Sequence, residues 1–351
     1  MNAGRARAIT GVILATLTPA TAFGQDVRGS VTSQAEGKPV PGAFVSLLDA
    51  RGEPVASFLT DAEGTFRLRA RSAGEYALRV RMIGFSTFTA PSFQLAAGEA
   101  RVVPLTLSTE PISLAGITVS GERVCRFDAA EAAGAAALWD EAAKALEVLS
   151  WTDAADVLSF RIELTRRVTE RGTGRFIQQD TDTVESVGAR PFAVGDAETL
   201  FELGFVLPGA DGGAVYYGPD AEMLLSERFL ETHCFRTKRK DDEIGLEFEP
   251  KPDRGVTDLK GVLWLDQRTA RLLRVEFSFA GGRAVTTGAG GDVEFRRLAD
   301  GRWIIQRWRL RAPIVSGDPF SGRGSRLLGH EEAVGEVVEV SAATTRLRRP
   351  R

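Results

Sequence analysis

Apolar positions along this chain follow two rhythms. From Val27 onward they alternate with a period of two, and each run is closed by glycine, proline or acidic residues. AFVSLLD sets Ala43, Val45 and Leu47 on one side. TFRLRA turns Phe66 and Leu68 inward and Arg67 and Arg69 outward. YALRVRM repeats the pattern with Tyr76, Leu78, Val80 and Met82, and RVVPLTL with Val103, Leu105 and Leu107. Short strands with a turn signal about every ten residues predict a small β-sandwich. Between two of them, TDAEG reads as a turn. Gly64 can take a positive φ, Asp61 can accept from the turn's own amides, and a calcium loop needs more oxygen ligands than Asp61 and Glu63.

Beyond Cys125 the rhythm changes. FDAAEAAGAAALWDEAAKALEVLSW carries Ala135, Leu138, Trp139, Ala142, Leu146 and Leu149 at helical spacing, with Asp128 and Glu131 placed as a capping box. Strands are expected next. LSFRIELTRRV has Leu158, Phe160, Ile162 and Leu164 on mixed faces, and RFIQQDTDTVESV reads as a polar strand pair. A short helix is expected from about Pro219 to Thr232, with Pro219 in its first turn and Met223, Leu224 and Phe229 as its apolar side. A meander follows: EIGLEFEP, two strands around DQRTA, a hairpin turning at Asp300 and Gly301, and GEVVEVSAATT.

The expected fold class is therefore mainly β with some α: an N-terminal β-sandwich, which the resemblance given below makes prealbumin-like, then an α+β domain with a long helix and a largely antiparallel sheet. The expected boundaries are 1–24 for a signal peptide, 26–108 for the sandwich and 109–124 for a linker or edge strand. Residues 125–345 form the α+β domain, and 346–351 a disordered tail.

VRGSVTSQAEGKPVPGAFVSLLD, TDAEGTFRL, AGEYALRVRMIGF and LTL resemble the carboxypeptidase regulatory-like domain. The resemblance implies a transthyretin-like sandwich serving as an accessory module beside peptidase domains, in outer-membrane receptors or in surface proteins. STEPISLAGITVSGER resembles the segment after this module in TonB-dependent receptors, but no plug follows, and a barrel of about 22 strands is not expected. LKGVLWLDQRTARLLRVEF resembles a stretch found in bacterial envelope proteins of unknown function. The strand pairs with a covering helix loosely resemble the curved half-barrel of periplasmic lipoprotein carriers.

Composition adds the compartment. Arg5 and Arg7, the apolar AITGVILATL and the small residues of TPATAFGQ read as a secretory signal cut ahead of Gln25, with a cut after Ala22 as the alternative. Removing those two arginines takes the net charge from -3 to -5. A mildly acidic chain of mixed charge argues against a nucleic-acid partner. No transmembrane segment is expected in the mature chain. The expected location is outside the cytoplasm, in the periplasm or associated with the outer membrane, with secretion as the alternative. In an exported chain the pair Cys125 and Cys234 favours a disulfide, with separate buried thiols as the alternative.

Candidate chemistry is sparse. His233 and His330 are the two histidines, and neither begins an HxxE motif. No zinc site and no cofactor is expected. His233 and Cys234 are neighbours, so they diverge rather than form a nucleophile–base pair. GAGGD lies between strands and reads as a loop. Asp241 with Asp242, and Glu247 with Glu249, suit exposed positions better than paired hydrolytic carboxylates. In RWIIQRWRLR, strict alternation places Trp303, Arg307, Arg309 and Arg311 opposite Ile304, Trp308 and Leu310. With Trp264 on a nearby strand, Trp264, Trp303, Arg307 and Arg309 form a candidate ligand surface for a sugar or an anionic group. The reading favoured over it is tryptophan packed in the sheet with arginine covering its edge. The expected function is a non-enzymatic envelope protein with a binding or structural role toward a glycan or an envelope protein. A carrier of a hydrophobic ligand is the alternative, and a hydrolase ranks below it. The sequence assigns no oligomeric state.

Overall fold

The computed structural model describes residues 25–108, 125, 133–155, 158–173, 175–188, 192, 195–210, 212–252, 254–321 and 325–343. The expected signal segment, the linker, the tail and the Asp128–Glu131 capping box lie outside the described residues.

Alternation builds the front half as two sheets. The first contains β1 (Gln25–Ser33), β4 (Thr65–Ala70), β8 (Ala100–Val102) and β9 (Leu105–Leu107). β4 runs antiparallel to β1, while β8 and β9 run parallel to it. The second contains β2 (Phe44–Leu48), β3 (Pro54–Leu59), β5 (Gly74–Arg81), β6 (Phe88–Thr89) and β7 (Phe93–Leu95). RVVPLTL is not one strand: it divides around Val103 and Pro104, where proline supplies no N–H for a ladder. Val27, Val45, Leu47, Phe66, Leu68 and Leu78 fill the space between the sheets. TDAEG is a turn. Asp61 Oδ1 accepts from the amides of Glu63 at 3.1 Å and Thr65 at 2.7 Å. Gly64 sits at φ +71°, and a Cβ there would lie 2.7 Å from the Val31 carbonyl oxygen.

Behind the sandwich lie α1 (Ala133–Ala154) and an antiparallel nine-stranded sheet. The sheet begins with the hairpin β10 (Leu158–Glu170) and β11 (Phe176–Val187) at one edge. A crossover then carries α2 (Ala197–Leu203), the two-stranded β12 (Val206–Pro208) and β13 (Ala214–Tyr216), α3 (Ala221–Leu225) and α4 (Glu227–Thr232). β14 (His233–Lys240) starts the opposite edge. β15 (Glu243–Pro250), β16 (Asp258–Asp266), β17 (Leu272–Ala280), β18 (Gly290–Arg297), β19 (Trp303–Ser316) and β20 (Arg326–Ala342) walk back until β20 lies against β10. No helix among the described residues is long and apolar enough to cross a membrane.

Local chemistry revises several expectations. RFIQQDTDTVESV is one strand, paired along its length with β10. Leu158, Phe160 and Ile162 are all buried and share one face rather than mixed faces. The helix expected over 219–232 is two helices. Asp220 accepts from the Met223 amide and starts α3 after itself, so Pro219 precedes the cap. Ser226 then ends α3 and caps α4 by accepting from the Phe229 amide. α2 escaped the sequence reading, although Asp196 and Gly204 mark its two ends.

One apolar cluster joins one face of the sheet to the helices and reaches into the sandwich through Phe44 and Leu59. Among the described residues, the face of the sheet expected to enclose a carrier's cavity is packed by Leu138, Leu146, Phe201, Phe229, Leu246 and Leu263. Each such side chain contributes about 1.5–3 kcal/mol when fully buried. Phe44 meets Trp151 of α1 edge to face, with ring centroids 5.8 Å apart.

The junction also holds charge. Glu141 and Lys144 of α1 form an ion pair and are buried. Glu141 accepts from the Gly84 amide at 2.7 Å, and Lys144 donates to the Phe85 carbonyl at 2.8 Å and pairs with Asp140 at 2.9 Å. Arg81, at the end of β5, pairs with Asp140 at 2.9 Å and with Glu147.

Candidate functional site

Trp264, Trp303, Arg307 and Arg309 do not converge. β19 carries a β-bulge: Phe295 faces Ile305, but Glu294 faces Arg307, so Gln306 is the extra residue. Its side-chain amide donates to the Val337 carbonyl at 2.9 Å. One extra residue resets the alternation. Trp303 therefore shares a face with Trp308, not with Arg307 and Arg309. It is 1% exposed and belongs to the core. Trp264 is also buried, and the Arg274 guanidinium lies 5.3 Å from its ring centroid. Arg307 pairs with Glu294 at 3.3 Å, and Arg309 pairs with Asp292 at 2.6 Å.

Those arginines belong to an ionic ladder on the outer face. Across the register, Arg274 faces Glu294, which faces Arg307, which faces Glu336. Glu276 faces Asp292, a like-charged pair relieved by Arg274 on Glu276 at 2.8 Å and by Arg309 on Asp292 at 2.6 Å. Arg274 grips both oxygens of Glu243 at 2.7 and 2.8 Å, and these hydrogen bonds raise its pKa. Burial pushes the Glu247 carboxyl upward, but hydrogen bonds from Arg236 and Lys238 outweigh it and hold the group below its ordinary range. Basic and acidic side chains alternate over most of this half-buried face. Its exposed pairs contribute about 0–1 kcal/mol each.

Both histidines lie against backbone carbonyls. His233 is fully buried, its Nδ1 3.1 Å from the Phe229 carbonyl oxygen and its Nε2 3.0 Å from that of Leu259. Burial lowers its pKa. His330 lies 2.8 Å from the Thr287 carbonyl oxygen through Nε2 and 3.1 Å from Arg311 through Nδ1. Cys234 is bonded to Cys125, which ties the chain ahead of α1 to the edge strand β14. Among the described residues, no group of three or more histidine, cysteine, aspartate or glutamate side chains is placed to hold a metal.

At the opposite edge an open cleft of about 680 Å³ lies between the end of α1 and the β10–β11 hairpin. Ile162, Leu164, Val184 and Trp308 supply its apolar lining, and Asp153, Asp180 and Asp182 its acidic groups, with Arg166 facing Asp180. β11 pairs with β10 alone, which leaves its outer backbone edge without a strand among the described residues. Phe176 and Ile177 are 58% and 61% exposed on it. Sequence reading missed this surface. Its signal is a strand-length run whose two faces are both largely polar, as expected for a strand that packs on little.

Residues 26–108 match the family model described as the carboxypeptidase regulatory-like domain, so this sandwich is such a module. No curated protein matches the chain. Among solved structures, 5-hydroxyisourate hydrolase of Klebsiella pneumoniae is 22% identical over 24% of this chain and 89% of that one, with a TM-score of 0.20. The minor pilin GBS52 of Streptococcus agalactiae is 17% identical over 26% of this chain and 45% of that one, with a TM-score of 0.22. The Bacillus anthracis TIE protein is 12% identical over 47% of this chain and 26% of that one, with a TM-score of 0.22.

Proposed function

We propose that this chain is an exported, non-enzymatic binding protein of the cell envelope, and that it holds an extended segment of a partner protein along β11. The observation that carries the reading is the 12-residue edge strand β11, bordered by the cleft. A free strand edge offers a row of backbone donors and acceptors, and an added strand satisfies them. Native proteins blunt such edges with charged side chains, above all lysine, with proline, with bulges or with a covering element. β11 contains neither lysine nor proline, and its Asp180, Asp182 and Glu185 and the bulge at Ile177 narrow the edge to a partner of matching charge and register. Its exposed Phe176 and Ile177 add apolar contact, and Asp180 and Asp182 favour a partner segment carrying basic residues. The accessory role of the regulatory-like module and the expected signal peptide agree with this location.

The test places a photoactivatable benzophenone side chain at Gln179 on β11, or at Arg51 in the β2–β3 turn, in cells expressing the full chain. A discrete protein adduct at 179 and none at 51 is the expected result. An adduct that is digested by muramidase instead assigns the edge to a glycan strand and refutes the protein partner. No adduct at 179 above that at 51 refutes the binding edge altogether.

A further inference from the structure

A second crevice, of about 240 Å³, opens between the sandwich and the sheet. Three turns meet there: Met82 to Phe85 after β5, Asp266 to Ala270 between β16 and β17, and Leu298 to Arg302 between β18 and β19. Arg81, Lys144, Arg271 and Arg297 line it, and no carboxylate is among its lining residues.

The four cations are not equivalent. Arg81 and Lys144 are neutralised by Asp140, Glu141 and Glu147 behind the crevice wall. Arg271 and Arg297 have no carboxylate within ion-pair distance among the described residues. Asp300, the acid that acts on Arg297, is itself held by Arg302 at 2.8 Å. The Arg297 side chain remains open to solvent, yet its surroundings and the charge of Arg271 both weigh against its protonated form.

Backbone geometry presses the two halves together around this pair. Gly42 and Gly301 both sit at positive φ, +71° and +89°. A Cβ on Gly301 would lie 2.7 Å from the Gly42 Cα, and one on Gly42 would lie 2.5 Å from Arg297 Nη2. Only glycine permits this approach, which leaves the Arg297 fork against the crevice. Two guanidinium groups that line one crevice with no carboxylate at ion-pair distance repel each other, and an anion between them would relieve that repulsion. Planar forks match the oxygens of carboxylate and phosphate. The volume lies below the roughly 300–1,000 Å³ of a drug-sized site and suits a group of a few heavy atoms.

We propose that this crevice binds a small oxyanion, a phosphate or carboxylate group, between Arg271 and Arg297. Because Gly42 and Ile83 come from the sandwich and both arginines from the sheet, the bound anion also stabilises the docking of the two halves. The group arrives either as a free anion or as the headgroup of an anionic lipid.

Inorganic phosphate is the probe, titrated into the exported chain at low ionic strength by calorimetry and by thermal unfolding. The wild type is expected to bind saturably and to melt higher with phosphate. Arg271→Gln and Arg297→Gln are expected to bind at least ~10-fold more weakly. Arg101→Gln, on β8 outside the crevice, is expected to match the wild type. Neither crevice arginine has a carboxylate at ion-pair distance among the described residues, and relief of their mutual repulsion offsets the weak pull of Asp300 on Arg297, so both variants are expected to melt no lower than the wild type without phosphate. That separates lost binding from lost folding. Absence of a saturable phosphate response in the wild type overturns the proposal, as does an equal response in the glutamine variants. Co-sedimentation with phosphatidylglycerol vesicles, against phosphatidylcholine vesicles, identifies the source. Binding that requires Arg297 assigns a lipid headgroup, whereas retained phosphate binding without vesicle binding assigns a free anion.

Discussion

Replacing Lys144 with methionine removes one charge from the junction and keeps most of the side-chain volume. Glu141 is 0% exposed and the Lys144 side chain 1%, so solvent cannot take the place of the missing ammonium. Removing one partner of a buried pair costs about 3–5 kcal/mol, because the other charge is left uncompensated. A whole domain is stable by roughly 5–15 kcal/mol, so the loss is easily measured. The cost depends on pH. Burial already raises the Glu141 pKa above its ordinary 4.5, against the lowering effects of the Gly84 amide and Lys144. The folded state thus binds more protons than the unfolded state, and this group's contribution to stability falls as pH rises from 4.5 through the raised value. Without Lys144 the raised value moves higher. K144M is therefore expected to lose most stability near neutral pH and to recover part of it near pH 5. The double variant Glu141→Gln with Lys144→Met keeps an acceptor for the Gly84 amide and is expected to recover most of the loss. Urea unfolding followed by tryptophan fluorescence measures this, with Trp151 reporting from its contact with Phe44 at the junction. A loss below about 1 kcal/mol for K144M, or losses that simply add in the double variant, refutes the reasoning.

Two further outcomes test the sheet and its tether. Reducing the Cys125–Cys234 bond, which spans 109 residues, is expected to cost about 4–5 kcal/mol in the chain-entropy account; equal urea midpoints with and without reductant refute it. Gly335→Ala places a methyl 2.1 Å from Trp308 Cζ2 in the middle of β20, with an expected loss of about 1–3 kcal/mol; an unchanged melting temperature refutes the tight contact.

Strand alternation made most of the architecture legible. Phe66 and Leu68 against Arg67 and Arg69 read correctly because a strand's two faces meet different solvents. The Asp300–Gly301 turn read correctly because the chain there must reverse within a few residues, and Gly301 does take a positive φ. Trp303 was misplaced for a definable reason. A bulge is one residue too many opposite a partner strand, and pairing with that partner does not appear in the local pattern of RWIIQRWRLR.

By itself the sequence determined the two rhythms, and with them a small sandwich followed by a helix and an antiparallel meander. These rest on local periodicity and turn chemistry, which each segment carries alone. Tertiary structure decided the rest. Glu141 and Lys144 would face water on an isolated amphipathic helix, yet they are buried because α1 packs against the sheet on one side and the sandwich on the other. Arg271 and Arg297 are separate in sequence and line one crevice because three turns converge. β11 resembles any polar strand until the sheet order leaves it at an edge. Burial of charge, convergence of turns and the choice of edge depend on which distant surfaces meet, and no local window contains that information.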